Sequence, residues 1–222
     1  MTDLQQTPRR PTRAPGRKRY ETLLDSAEQL LATRPIASLT LQEVADHADC
    51  PIASIYHYFP SIAAVYVGLA ERYHGQFRQI FIDPIDIKAV HGWQDICRIH
   101  SERGRQVYAR NPAAVQLFLG PDIGSQMRQM DLEYNKEFGL LQYRTMQSLF
   151  VVPEKRMVVE HLAISTTISD AIWSLSYALH KRITKELAEE AMRAKLAYLS
   201  LYIPPCAPRI DGQAAPQSND GA

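Results

Sequence analysis

With 222 residues, 45% hydrophobic and 22% charged, the chain can bury a core and has the composition of an ordinary globular protein. No run reaches the roughly 18 apolar residues of a membrane span. Residues 1–19 lack the apolar centre of a signal peptide, so a cytoplasmic location is expected. The net charge of +1 conceals an asymmetry: in residues 1–19, Arg9, Arg10, Arg13, Arg17, Lys18 and Arg19 face Asp3 alone, a net of +5, and the remainder carries −4.

Residues 1–17 read as a disordered basic arm, too polar and Pro-rich to fold alone and suited to a polyanion; a merely solubilising segment is the alternative. Beyond it, apolar residues recur at helical spacing nearly throughout, without internal repeats, so the fold class is all-α with about nine helices. The first helix is predicted over 18–33, with Tyr20, Leu23, Leu24, Ala27, Leu30 and Leu31 on one face. Arg34-Pro35 ends it, because the residue before proline avoids the helical region.

The second helix carries the clearest local signal. Leu39-Thr40-Leu41-Gln42-Glu43-Val44 is a capping box, in which Thr40 and Glu43 satisfy each other's free amides, inside a hydrophobic staple of Leu39 and Val44. Asp49-Cys50-Pro51 breaks that helix near Ala48. Asp49 tolerates the left-handed conformation a sharp reversal needs, and Pro51 suits the first turn of a third helix over 52–58. Within it, Ile55 and Phe59 are spaced to anchor inward, leaving Ala53, Ser54, Tyr56 and His57 facing out. Further helices are predicted over 62–81, 93–110, 113–119, 123–150, 154–182 and 185–202. Asp83-Pro84, Asn111-Pro112, Gly120-Pro121, Val152-Pro153 and Ile183-Thr184 break them, and 204–222 reads as a disordered tail.

Two short helices joined by a tight turn and braced on a longer one are the ingredients of a helix-turn-helix, whose second helix can enter a major groove. The segment from Thr40 to Phe59 resembles the DNA-binding signature of the TetR family of repressors, approximately T-x-x-x-I-A-x-x-A-G-V-S-x-G-x-L-Y-x-H-F. The order of lengths also resembles that family: basic arm, a head over 18–62, then a helical ligand-binding and dimerisation body over 63–203. The resemblance implies a DNA-binding regulator, a repressor released from a palindromic operator by a small-molecule effector, and not an enzyme. It implies that Thr40 touches backbone phosphate, that Ala53, Ser54 and His57 face base edges or nearby phosphates, and that Tyr56 bonds a phosphate. Ile52, at the start of the reading helix, and Arg17, Lys18 and Arg19 of the arm complete the expected DNA-binding set. A ligand-gated activator, or a small-molecule-binding protein with a degraded head, are the alternatives.

Several positions depart from the pattern. The family's Gly-Val-Ser turn is Asp49-Cys50-Pro51 here, and the usual lysine after the reading helix is Ile62. Residues 20–61 hold Arg34 against Glu21, Asp25, Glu28, Glu43, Asp46 and Asp49, a net of −5. That is a poor electrostatic footprint for DNA, so the arm is expected to supply much of the grip.

For the effector, the candidate ligand-binding residues are Arg103, Tyr108, Phe118, Met130, Tyr134, Phe138, Trp173 and Tyr177, with His100 and Arg105 as further polar partners. Aromatics at helical spacing also suit a plain core. The resemblance implies a homodimer through the last two helices. Cys50, Cys97 and Cys206 form no Cys-x-x-Cys pair and read as reduced thiols, with redox sensing as the alternative. His91, His100 and Glu102 lack metal-ligand spacing, and no cofactor or nucleophile–base constellation is evident.

Overall fold

The computed structural model describes residues 7–121 and 124–210. Among them are nine α-helices: α1 (Ala14–Leu31), α2 (Leu41–His47), α3 (Ile52–Tyr58), α4 (Ile62–Ile82), α5 (Trp93–Arg110), α6 (Pro112–Leu119), α7 (Ser125–Leu149), α8 (Lys155–His180) and α9 (Lys185–Leu199). Short 3-10 turns at Ile36–Ser38 and Ile87–Ala89 complete the helical set. The only extended pairing among the described residues is an isolated bridge between Phe150 and Arg209. No single described helix is long and apolar enough to cross a membrane.

The chain divides into two compact units, one drawn from residues 1–76 and 108–128, the other from 77–107 and 129–222. The division falls inside α4 rather than at residue 62, because α4 and α6 contribute to the packing of the first unit. Leu23, Leu24, Ala27 and Leu31 of α1 close over Val44, Ala45, Ile55, Phe59, Val65 and Leu69, all essentially without exposure. The Tyr20 ring stacks on Phe59 at 4.7 Å. A Cβ at Gly68 would lie 2.8 Å from the Tyr20 hydroxyl and 3.2 Å from Phe59, so only glycine lets α4 pass this close. From α6, the Gln116 side chain donates to the carbonyls of Leu31 (2.6 Å) and Arg34 (2.8 Å) and accepts from the Ile36 amide (2.8 Å). It thereby satisfies orphan groups at the end of α1 and the turn that leads to α2.

The N-terminal arm is more ordered than its composition suggests. Helix α1 begins at Ala14, inside the segment expected to be disordered to residue 17, since Pro15 sits in its first turn, where a missing amide proton costs nothing. Ahead of it, Pro8 is buried, the Arg9 amide donates to the Tyr58 carbonyl at 2.7 Å, and Arg10 pairs with Glu71 at 2.5 Å. Residues 1–6 of the arm lie outside the described residues.

The second unit packs around Trp93, Ile96, Cys97, Tyr143, Met146, Phe150, Val158, Leu162, Leu199 and Ile203. Gly139 lets α7 meet α8 backbone to backbone, since a Cβ there would lie 2.8 Å from the Val159 carbonyl. Lys181 ends α8 in the left-handed region, φ 58°, and Ser176 ties the following turn by donating to the Arg182 carbonyl and accepting from the Thr184 amide. The expected disordered tail is corrected over residues 204–210. Trp93 Nε1 donates to the Pro204 carbonyl (2.9 Å), Val151 N–H to Pro208 (2.7 Å), and the Arg209 guanidinium to Val90 (2.6 Å). Residues 211–222 of that tail, and the expected helix start at Ile123, lie outside the described residues.

Candidate nucleic-acid interface

Helices α2 and α3 have seven residues each, too short to persist alone, so their position depends on the bonds that start, join and bury them. The start of α2 is a full capping box: Glu43 N–H donates to Thr40 Oγ1 at 3.3 Å, and Thr40 N–H donates to Glu43 Oε2 at 3.0 Å. The Thr40 hydroxyl, which donates to Glu43 Oε2 at 2.8 Å, then the Thr40 amide and the Arg34 guanidinium at 2.7 Å, hold the Glu43 carboxyl below the usual carboxylate range. Leu39 and Val44, the expected staple, are both buried.

The turn uses Asp49 at φ 47°, the left-handed position predicted for it. The Cys50 amide donates to the Ala45 carbonyl (2.9 Å) and the Asp49 amide to Asp46 (3.2 Å), the bond pair of a Schellman ending. The side chain of Cys50 is buried beneath Arg19, whose guanidinium reaches Cys50 Sγ at 3.4 Å. Pro51 is the residue before α3 rather than its first turn, and the Ser54 amide closes on the Pro51 carbonyl at 2.8 Å.

Ile55 and Phe59 are fully buried and fix the rotation of α3 about its axis. That rotation leaves Ala53 and His57 exposed, Tyr56 52% exposed, and Ile52 and Ser54 half-buried. The His57 ring leans edge-on against Tyr58 at 4.8 Å. Small, hydroxyl-bearing and imidazole side chains on one short exposed helix face are donors and acceptors suited to base edges and phosphate. Arg17, Lys18 and Arg19 are exposed on the first turns of α1, and Arg17 also donates to the Thr12 carbonyl.

Most of the acids of this region are engaged within the first unit, although Arg34 and Arg72 together offset only two of the six charges. Arg72, just beyond the stretch that reads as acidic, binds Glu21 (2.6 Å), Asp25 (2.7 Å) and Glu28 (3.0 Å), and Tyr73 donates to Glu28 at 2.5 Å. Arg34 takes Glu43 and Gln42 donates to Asp46 at 2.7 Å. Of the six acids counted against Arg34, only Asp49 has none of these bonds. Arg72, the partner of Glu21, Asp25 and Glu28, lies 44 to 51 residues from them along the chain, beyond the reach of local charge counting.

The expected effector residues do not form one constellation. Tyr108 and Phe118 are buried in the first unit, Phe118 edge-on to Tyr73 at 6.5 Å. In the second unit, Met130 and Tyr134 are half-buried, Phe138 stacks on Phe81 at 5.0 Å, and the Lys181 ammonium sits 5.6 Å over Tyr177. The Arg103 guanidinium donates to the carbonyls of Ile80, Asp83 and Pro84 at 2.7–3.0 Å, at the end of α4. Arg105 pairs with Glu102 at 2.6 Å. Trp173 is buried against a groove of about 450 Å³ between α5 and α9. A wider groove of about 1010 Å³ borders α7 and the start of α8, lined by Lys136, Tyr143, Lys155 and Arg156, none of them a sequence candidate. Among the described residues, no three His, Cys, Asp or Glu side chains converge to hold a metal ion.

The family model for bacterial regulatory proteins of the tetR family matches residues 23–68, from within α1 into α4. No curated protein matches the chain significantly. Among solved structures, a TetR-family transcriptional regulator from Streptomyces coelicolor is similar at a TM-score of 0.67 and 17% identity, over 83% of this chain and 99% of that one. A TetR transcriptional regulator from Rhodococcus sp. RHA1 has a TM-score of 0.61 and 16% identity, covering 83% and 97% of the two chains. SmeT, the repressor of the Stenotrophomonas maltophilia multidrug efflux pump SmeDEF, follows at 0.53 and 16%, covering 83% and 90%. The sequence match is confined to the head, residues 23–68, and the structural neighbours share the fold of TetR-family transcriptional regulators over most of this chain.

Proposed function

We propose that the chain is a transcriptional repressor that binds a palindromic operator as a homodimer and leaves it when a small-molecule effector enters the helical body. The observation that carries this reading is the exposed face of α3, Ala53, Tyr56 and His57, on a helix whose opposite face is locked by Ile55 and Phe59. The repressor role described for SmeT supports the direction of control. A homodimer is supported by α8, where Met157, Ile164, Leu175 and Leu179 are exposed at helical spacing and leave an apolar stripe without cover. Two-fold pairing along such a stripe would set two reading helices about one DNA turn apart.

Footprinting of the full chain on the DNA upstream of its own gene tests the reading. A protected palindrome overlapping the promoter is expected, and no protected palindrome at any salt concentration overturns it. Because Arg10 is already held by Glu71, the grip on phosphate falls to Arg17, Lys18 and Arg19. Lys18→Ala is therefore expected to weaken binding on all sequences and to lower the salt slope by about 1 per bound protomer. An unchanged slope removes the basic start of α1 from the interface.

A further inference from the structure

The second unit gathers an unusual set of polar side chains from four helices. Cys97 and His100 come from α5, Asn135 and Gln142 from α7 and Lys195 from α9, and the half-buried Thr166, Thr167 and Asp170 of α8 border them. Some of them serve each other: Gln142 donates to Cys97 Sγ at 3.2 Å, and Asn135 reaches Thr167 and Asp170 at 3.4 Å. Two do not. His100 is 3% exposed, and among the described residues neither of its ring nitrogens has a hydrogen-bond partner. Lys195 is 4% exposed, and among the same residues its ammonium makes one long bond, 3.4 Å to Thr166 Oγ1, with no carboxylate at ion-pair distance.

A buried ammonium with one weak bond and a buried imidazole with none are each costly unless something satisfies them. Burial, then the charges of Lys195 and Arg103, push His100 down to about 3. Burial lowers Lys195 too, against the opposing pull of Cys97 and Asp170. An anion brought between them would relieve both groups at once. The surroundings also specify what the anion is attached to. The His100 ring stands edge-on to Phe81 at 4.7 Å, Phe81 stacks on Phe138, and Trp173 lies beyond Gly104 of α5. A groove of about 450 Å³ lined by Ser101, Trp173, Lys185, Ala188 and Met192 shares Trp173 with these surroundings. Lys185, Ala188, Met192 and Lys195 follow one another at helical spacing along α9, which puts Lys195 on the same helix face as the α9 residues of the groove.

We propose that the body binds a small carboxylic acid with an apolar or aromatic body, its carboxylate held by Lys195 and His100 and its apolar part lying against Phe81, Phe138 and Trp173. The proposal rests on the reading that the body takes an effector, and it names that effector's class.

Calorimetry and thermal shift on the full chain, with benzoate, phenylacetate and octanoate each paired with its amide, test it. At least one acid is expected to bind about tenfold or more tightly than its amide and to raise the melting temperature. Lys195→Met is expected to fold, because an apolar side chain replaces an unpaired buried charge, and to lose at least about tenfold in acid affinity. Should that variant not fold, the acid-to-amide ratio in the unaltered protein decides alone. Equal binding of acid and amide, no binding of any acid at millimolar concentration, or full acid affinity in folded Lys195→Met each overturns the site. Operator release is measured separately. Lys195-dependent acid binding that leaves the operator complex intact sinks the effector reading and keeps the site, whereas release by a neutral compound alone sinks the site and keeps the reading.

Discussion

Arg72 and Gln116 in the first unit and Lys195 and His100 in the second are polar side chains drawn out of water and provided for differently. In the first, Arg72 meets three acids, Glu28 takes a second bond from Tyr73, and the Gln116 amide is used at both its donor and acceptor ends. In the second, Lys195 and His100 are taken out of water and left with one 3.4 Å bond between them. A satisfied network specifies one geometry, and a helix of seven residues needs that, since a small rotation of α3 would alter which side chains, Tyr56 and His57 among them, it exposes. An unsatisfied pair costs stability, and on the proposal above a bound acid would offset that cost.

The comparison breaks most sharply at Phe59. Phe59→Ala removes a fully buried ring stacked on Tyr20 and opens a cavity beside Gly68, for a loss of about 3–5 kcal/mol in denaturant unfolding. DNA binding should vanish with it, and a variant that still binds operator normally would show that the head tolerates a loosened α3. Next in size is Gln116→Ala. It leaves the Leu31 and Arg34 carbonyls and the Ile36 amide without their partner, a cost of about 2 kcal/mol. A change below about 0.5 kcal/mol would mean that water replaces the amide and that α6 does not brace the end of α1.

Both sites show how far the sequence could be read. The capping box at Thr40, the left-handed Asp49 and the Ile55 and Phe59 anchors were legible because each is encoded within a few neighbouring residues. Arg72 and Gln116 were not, because their partners lie 44–51 and 80–85 residues away, and a surface-looking Arg or Gln gives no local sign of its target. Residues 204–210 look like a tail by composition yet are held by single bonds to Trp93, Val90 and Val151, which polarity cannot reveal. The surroundings of the body's polar side chains were the least legible, for the same reason. Arg103 on a helix beside aromatics suits a carboxylate equally well as the carbonyls it in fact caps, and Lys195, on a helix rich in exposed charge, carries no mark of burial.

The smallest effect concerns the body's unsatisfied histidine. Folding holds His100 at about 3, below its ordinary 6.5, so the folded chain refuses a proton that the unfolded chain accepts. Its neutral form is tolerated above about pH 6.5, and stability is lost progressively as pH falls from there toward 3, with Lys195 and Arg103 as the cations that face it. Between about pH 7 and about pH 5.5 the loss should be about 1 kcal/mol. His100→Leu removes the proton acceptor, so its stability should fall less than that of the unaltered chain over the same interval, by this difference, in matched urea titrations. Parallel pH profiles would show that water reaches the His100 ring, and the contrast between a satisfied head and an unsatisfied body would then rest on Lys195 alone.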